Sequence, residues 1–452
     1  MTRLSGLADA AAILFAVLGL LVLVFGAFSV SLGPWPVRVS GADRLFFMAA
    51  AIVAVRHAAS PADPLHRRLA RFVRVPAESP GAAARAAVAS RIAVLVVGYA
   101  GVVAIGIPPT ANGFTVSADP LLNLPARFDA GWYGTIALEG YSFQGRFDRQ
   151  QNVAFFPAFP LLARLVGYPF GAFARNAPPE RRLARMLWAG VVVSIAAFAW
   201  AAAYFWRLAR DMIGSDRALD AVMLLAAYPF AVYYSAAYSE SLFLLGSVAA
   251  FYHFRRDELG LASAWGLLVG LTRPNGCFLS VVLATEIVVQ TLRANRLGGG
   301  SPAGPRAVRW LAAATPAIGM LLFSAYVKHL TGAWFGWARL HETWGRTLGA
   351  FTPLSSPYDL ANALAALFAL TMLWPVVRRA GIACGVLVVV NVLPPLLAGG
   401  VLSMGRVTAT IFPLFLALAA IVPPRMVGAV VTAFAVGQAA VAVVFFTWRP
   451  LF

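Results

Sequence analysis

Asp129 opens a stretch whose residue types could do carbohydrate chemistry. It begins DAGWYGTIALEGY, with Trp132, Tyr133 and Ile136 following at helical spacing, so one aromatic face lies just past an acid. A carboxylate held beside aromatic rings at a membrane surface can deprotonate a sugar hydroxyl as a general base. The same residues also suit a plainer role, with Asp129 as the N-cap of a short helix closed by Gly140 and the rings as an interfacial anchor. Pro157 and Pro160 mark the return to apolar sequence. Glu139 and Asp148 are expected to face solvent.

A second polar stretch is KHLTGAWFGWARLHETWGRTLGAF, from Lys328 onward. Trp334, Trp337, His341 and Trp344 recur at helical spacing and are expected to form one stripe. Trp334 suits an interfacial belt. His341, Glu342, Trp344 and Arg346 are denser in polar function than a belt requires, since rings stack on sugar faces while Arg and His can hold phosphate. Arg273 and Asn275, within TRPNG, and Arg406, within LSMGRVTATIFP, lie deep in apolar runs. An ionisable group there costs a few kcal/mol to insert, so each is a candidate for phosphate binding. The alternative is snorkelling, or pairing with a carboxylate such as Glu240. Arg164 suits an interfacial anchor. The outer loops contain no HExxH, Walker loop or acidic pair of the nucleotide-sugar type, and no metal site or cofactor is predicted.

The elements that must carry these residues are membrane helices. Of 452 residues, 60% are hydrophobic and 12% charged, with a mean hydropathy of +0.77. Soluble domains carry roughly twice that charge, and several apolar runs reach the ~20 residues that span a bilayer. An all-α polytopic membrane protein is expected. The net charge of +18 rests on arginine, Lys328 being the only lysine. These arginines sit mostly in short loops between apolar runs, a positive-inside pattern, and no nucleic-acid partner is predicted. Cys277 and Cys384 lie in separate apolar segments and suggest neither a disulfide nor a metal site.

The first span is expected over Ala10 to Leu32 and the second over Leu45 to Val55. A basic cytoplasmic loop with His57 and His66 follows, then a third span over Ile92 to Ile107. Asp119 to Asp148 then lie outside. Ala158 to Phe173 is too short for a full crossing and reads as re-entrant or in-plane. The next span, near Leu187 to Trp206, returns to Arg207, Arg210 and Arg217, and two further runs flank Tyr228 to Ser241. TRPNG interrupts Leu261 to Gln290, as a hairpin tip or a broken helix. Arg293 to Arg309 is a basic linker, and Arg378, Arg379 and Arg425 mark later inside turns. The expectation is about 12–13 transmembrane segments. In domain terms, 1–91 holds the N-terminal pair of spans and the basic loop. Residues 92–422 form the main membrane domain, with outer loops at 109–185 and 328–360, and 423–452 the last span.

RFDAGWYGTIALEGY followed by AFFPAFPLLARL resembles the first luminal loop of the GPI mannosyltransferase 2 (PIG-V) class and its bacterial relatives. YPFAVYYSAAYSESLFLL, GLTRPNG, HETWGR and MGRVTATIFPLFLALA resemble that family's later blocks in the same order, so the likeness runs from Leu124 to Ala420. The resemblance implies a glycosyltransferase C type of fold, a polyprenyl-phosphate sugar donor and a catalytic acid in the first large outer loop, which by motif is Asp129. The N-terminal pair of spans departs from the family's usual first crossing. The outer loops lack an N-x-S/T sequon and the composition is rich in Ala and Arg, which fits a bacterial plasma membrane with the site facing outward.

The expected function is therefore an inverting glycosyltransferase, in particular a mannosyltransferase. Its partners would be a polyprenyl-phosphate sugar, a lipid or glycan acceptor and membrane lipids. Asp129 would be the base, and Trp132 and Tyr133 would shape the sugar site. Glu240, Arg273, Asn275, His341, Glu342, Trp344, Arg346 and Arg406 complete the candidate substrate-binding set. The alternative is a transporter or flippase of an anionic glycolipid, which should concentrate polar residues at mid-membrane in paired broken helices.

Overall fold

The computed structural model describes residues 7–8, 11–12, 15, 28–32, 35–39, 41–59, 79–109, 111, 113–174, 177–296, 306–349, 354 and 356–451. The chain divides into two units, Met1–Ala77 and Glu78–Phe452. In the first, Phe28–Leu32 pairs antiparallel with Trp35–Val39, Phe28 opposite Val39 and Leu32 opposite Trp35. Most of the expected first span lies outside the described residues. Its last five residues are strand rather than helix, as suits the alternating FSVSL pattern. The expected second span falls inside the helix Ala42–Ala59, which begins with Asp43 and ends with Arg56 and His57. His66 and the arginines around it lie outside the described residues.

The second unit is helical among its described residues. Six helices are long and apolar enough to cross a membrane: Pro80–Ile105, Pro179–Ile213, Pro274–Arg296, Arg306–Thr331, Pro357–Ala380 and Pro424–Phe446. Ser215–Ala227 and Pro229–Ser235 would make a seventh as one span bent by 81°. The bend falls at Pro229, which has no N–H to continue the helical ladder. Four shorter apolar helices accompany them, Ala158–Gly167, Leu259–Gly270, Ile382–Leu397 and Phe412–Ile421. Apart from the strand pair of the first unit, the chain is thus a helical multi-pass membrane protein whose apolar runs are cut by proline and glycine into pieces of unequal length. At TRPNG it forms two helices joined through Arg273 and a 3-10 turn, Pro274–Phe278.

Pro179–Ile213, 35 residues long, packs against Pro80–Ile105, Ala158–Gly167, Ser215–Ala227 and Glu240–Arg255. Glu240–Arg255 is buried from Glu240 through Phe254, so it has no face for lipid or water and forms the core of the bundle. Buried arginines tie helices together. Arg91 donates to the Ala226 carbonyl at 2.6 Å and to Gln438 Oε1 at 3.2 Å, with its guanidinium over Phe198.

Helix contact is closest where Leu259–Gly270 meets Arg306–Thr331. A Cβ on Gly270 would lie 1.9 Å from the Pro316 carbonyl oxygen, and one on Gly319 would lie 2.5 Å from the Leu267 carbonyl oxygen. Backbone cannot move aside as a flexible side chain can, so any side chain here separates the helices and with them the Arg273 break. Gly270→Ala should lower stability by about 1–3 kcal/mol. Gly428→Ala, with no atom near its would-be Cβ, should not. Thermal unfolding of both variants in one detergent checks this, and equal melting temperatures would contradict it.

Candidate active site

Four segments far apart in sequence bring Asp129, Glu240, Arg273 and Arg406 together. Asp129 stands before the helix Ala130–Glu139, and its backbone carbonyl accepts from Trp132 N at 3.0 Å. Gly140 closes that helix with φ 90, as expected. The capping expectation needs correction, because the Asp129 side chain makes no capping hydrogen bond. Its backbone is αR rather than the extended conformation of a usual N-cap, and the carboxylate turns away to Arg406, whose Nη1 donates to Asp129 Oδ2 at 2.5 Å. A charge-assisted pair is worth more than a cap to a helix N–H.

The loop before Asp129 is fastened from beneath. Arg127 is buried and donates through Nε to the Phe446 carbonyl at 2.6 Å and through Nη1 to the Asn123 carbonyl at 2.7 Å. Phe128 takes φ 44, rare for a bulky residue, with its ring against Phe445 and Trp448. The Tyr238 hydroxyl accepts from Asp129 N at 3.0 Å and donates to the Arg127 carbonyl at 3.2 Å.

Glu240 is the hub. It begins its helix fully buried, and its Oε1 accepts from both Arg273 Nη1 and Arg406 Nε. Its second oxygen is buried with no hydrogen-bond partner among the described residues. Arg406 lies over the Tyr238 ring, 4.6 Å from its centroid, so carboxylates and a π-face together offset the cost of its burial. The turn that aims Arg406 starts at Ser403, φ 57, and Gly405 N donates to Asn362 Oδ1 at 2.8 Å. Arg273 sits in the TRPNG break because Pro274 forces the residue before it into extended backbone, φ −157.

The aromatic groups divide by role. Tyr133 is buried, its hydroxyl 2.9 Å from Ser239 Oγ and its ring edge-on to Phe155 and Phe159. Trp132 is half-buried, stacked on Phe155 and edge-on to Trp344 at 6.0 Å. That contact joins the two polar stretches. The expected single stripe holds in part: Trp337, His341 and Trp344 follow one another in ring contact. Trp334 is left out, half exposed beside Lys328, because Phe335 takes φ 55 and the helix begins only at Gly336.

His341 and Arg346 carry polar groups that the protein leaves unused. His341 Nε2 and Arg346 Nη1 are buried without a hydrogen-bond partner among the described residues, while Arg346 Nη2 donates to the Leu402 carbonyl at 2.8 Å. Burial, then the charges of Arg346, Arg273 and Arg406, lower the His341 pKa to about 4, so it is neutral at pH 7. Burial and the neighbouring Arg406 and Arg273 lower Arg346 to about 10. Glu342 is exposed. Asn275 donates to Asn391 Oδ1 at 2.7 Å, which ties TRPNG to the helix Ile382–Leu397. Glu139 and Asp148 are exposed, and Asp148 pairs with Arg146. Arg164 reaches the Ala137 carbonyl at 2.9 Å and covers Phe173, anchoring the helix Ala130–Glu139. Tyr238, Ser239 and Phe155 were not singled out from sequence. Tyr238 and Ser239 directly precede Glu240 in YSES, and Phe155 lies in the quoted AFFP block. Among the described residues no group of three or more His, Cys, Asp or Glu could hold a metal ion.

Residues 113–294 match the model of a protein family described as mannosyltransferase (PIG-V). That segment contains Asp129, Glu240 and Arg273, while His341, Arg346 and Arg406 lie beyond it. No curated protein matches the chain.

Two outcomes are expected from this geometry. Glu240→Gln leaves Arg273 and Arg406 without their shared charge and should cost roughly 3–5 kcal/mol of stability, read as a large fall in melting temperature in detergent. Because the folded His341 pKa lies below its ordinary 6.5, His341 contributes a loss of stability as pH falls from about 6.5 towards 4. His341→Gln should flatten the melting-temperature profile across that window and leave it unchanged above it.

Proposed function

We propose, from the premise that residues 113–294 form a PIG-V-like mannosyltransferase segment of a multi-pass membrane protein, that the chain is an inverting enzyme using a polyprenyl-phosphate mannose donor. The observation that carries this reading is one carboxylate beside cationic groups with donors to spare. Asp129 spends only Oδ2 on Arg406 among the described residues, and Arg346 Nη1 and His341 Nε2 are buried with no hydrogen-bond partner among them. In this reaction the acceptor hydroxyl gives its proton to Asp129 as its oxygen bonds the anomeric carbon. The bond from that carbon to the phosphate oxygen breaks on the opposite face, and polyprenyl phosphate leaves. Arg346, through Nη1, would bind the departing phosphate, with Arg273 and neutral His341 next to it. Arg406 would orient Asp129, since its Nε and Nη1 already serve two carboxylates. The Trp132 and Trp344 rings offer the stacking surface a sugar needs.

The glycosyltransferase C assignment and the outward orientation rest on the motif order and on the arginine-rich turns at Arg207 to Arg217, Arg378, Arg379 and Arg425. The acceptor would be a lipid or glycan, and an Ala- and Arg-rich chain without outer-loop sequons fits a bacterial plasma membrane.

The test supplies purified protein with polyprenyl-phosphate mannose and, separately, nucleotide-linked mannose, together with a membrane lipid extract. Transfer is expected from the lipid-linked donor alone. Asp129→Asn should lower turnover about 10²–10⁴-fold with donor binding retained. Arg346→Gln should raise the apparent KM for donor more than it lowers kcat. Efficient transfer from the nucleotide form, or near-normal turnover by Asp129→Asn, would overturn the mechanism.

A further inference from the structure

A cavity of about 460 Å³ lies far from the Asp129 cluster, lined by Ile213, Arg217, Arg378, Arg379, Ile421 and Pro424 among others. The helix Pro179–Ile213 measures the separation. Its Leu183 and Leu187 side chains lie against Gly134, in the helix that follows Asp129, and its Gly190 lies against Ala237. Ile213 is 23 residues beyond Gly190, about 34 Å along a helix. The cavity sits where three candidate spans end or begin, at Ile213, Ala380 and Pro424. That is the depth at which a bilayer changes from hydrocarbon to headgroup.

Its lining is amphipathic in the manner of a lipid headgroup site. Arg378 and Arg379 are exposed and make no hydrogen bond or ion pair with the described protein, Arg378 only covering Trp374 at 5.1 Å. Arg217 is mostly buried, with its Nε and Nη2 on the Ala419 and Val422 carbonyls and its Nη1 2.9 Å from Asp220 Oδ2. Asp220 therefore answers Arg217, and among the described residues nothing answers the other two guanidinium groups. The helix Pro424–Phe446 also presents its N-terminus here, with no acid in its first turn. Ile213 and Ile421 supply apolar wall beside the charges. A free phosphate would use the charges and waste the apolar wall, whereas a phospholipid uses both.

We propose that this cavity binds the phosphate headgroup of an anionic phospholipid at the membrane face opposite the Asp129 cluster. The site is independent of the transfer reaction. Planar guanidinium groups can each take two phosphate oxygens, and two arginines without protein acceptors suit a phosphodiester.

The test is native mass spectrometry on the detergent-purified full-length protein with dioleoyl phosphatidylglycerol, dioleoyl phosphatidylcholine and inorganic phosphate offered separately and in competition. Phosphatidylglycerol should bind about tenfold or more tightly than phosphatidylcholine. Arg378→Gln with Arg379→Gln should abolish that preference, and the paired Arg→Lys changes should restore part of it. Both side chains are exposed, and an unchanged melting temperature checks that the fold is kept. Arg425→Gln, a neighbouring exposed arginine outside the lining, should leave the preference intact. Equal binding of the two lipids, no effect of the double Gln change, or an equal effect of Arg425→Gln would overturn the proposal. Displacement of phosphatidylglycerol by low-millimolar inorganic phosphate would assign the cavity to a free anion and overturn the lipid assignment.

Discussion

One buried carboxylate shared by two arginines holds this site together. Glu240 carries a charge into the buried centre of the bundle, a cost that would shift it to its neutral form if it stood alone. Arg273 and Arg406 keep it ionised, and it in turn allows two guanidinium groups to sit between membrane helices. Each of the three groups is tolerated because of the others. Asp129 joins as the fourth member through Arg406, leaving two acids and two bases within one cluster. The balance is local, and the surplus cationic capacity begins only at Arg346.

That arrangement separates holding from reacting. Groups locked on more than one protein partner, Glu240, Arg406, Tyr238 and Arg127, define geometry. Asp129, Arg346 and His341 each keep an atom without a protein partner among the described residues, as do Glu240 at Oε2 and Arg127 at Nη2, and the first three are the groups to which the proposed reaction assigns substrate contacts. Burial keeps His341 neutral and able to donate or accept, whereas a third full charge beside Arg346 and Arg406 would repel. The rings of Trp132, Phe155 and Trp344 close the region between the two polar stretches.

Membrane class and helical architecture were legible in the sequence because apolar composition and run length report directly on the bilayer. Arg273 and Arg406 stood out as candidates, since an arginine inside an apolar run is costly to insert. What stayed hidden was pairing. Asp129 reads equally as a cap or a base until Arg406, 277 positions away, is seen to take its carboxylate. One N–H of the Asn275 amide is donated to Asn391, a pairing that no local pattern announces. The helical stripe from Trp334 to Trp344 failed at its first member because a φ of 55 at Phe335 resets the register, and spacing cannot report a backbone break. At the N-terminus, the last five residues of the expected first span, Phe28–Leu32, pair with Trp35–Val39, since a run of apolar residues does not by itself distinguish strand from helix.

The scatter of the site along the chain sets an order of assembly. Synthesis and membrane insertion proceed from the N-terminus. Asp129 is delivered first, then Glu240 and Arg273, only 33 residues apart, which can neutralise one another as soon as their helices are in place. Arg406 comes more than a hundred residues later and is the piece that links Asp129 to that pair. Until it arrives, the Asp129 carboxylate lacks the Arg406 counter-charge. The helix Met404–Ala409 therefore supplies the last link, so that a chain still being made holds both acids of the cluster before the arginine that joins them.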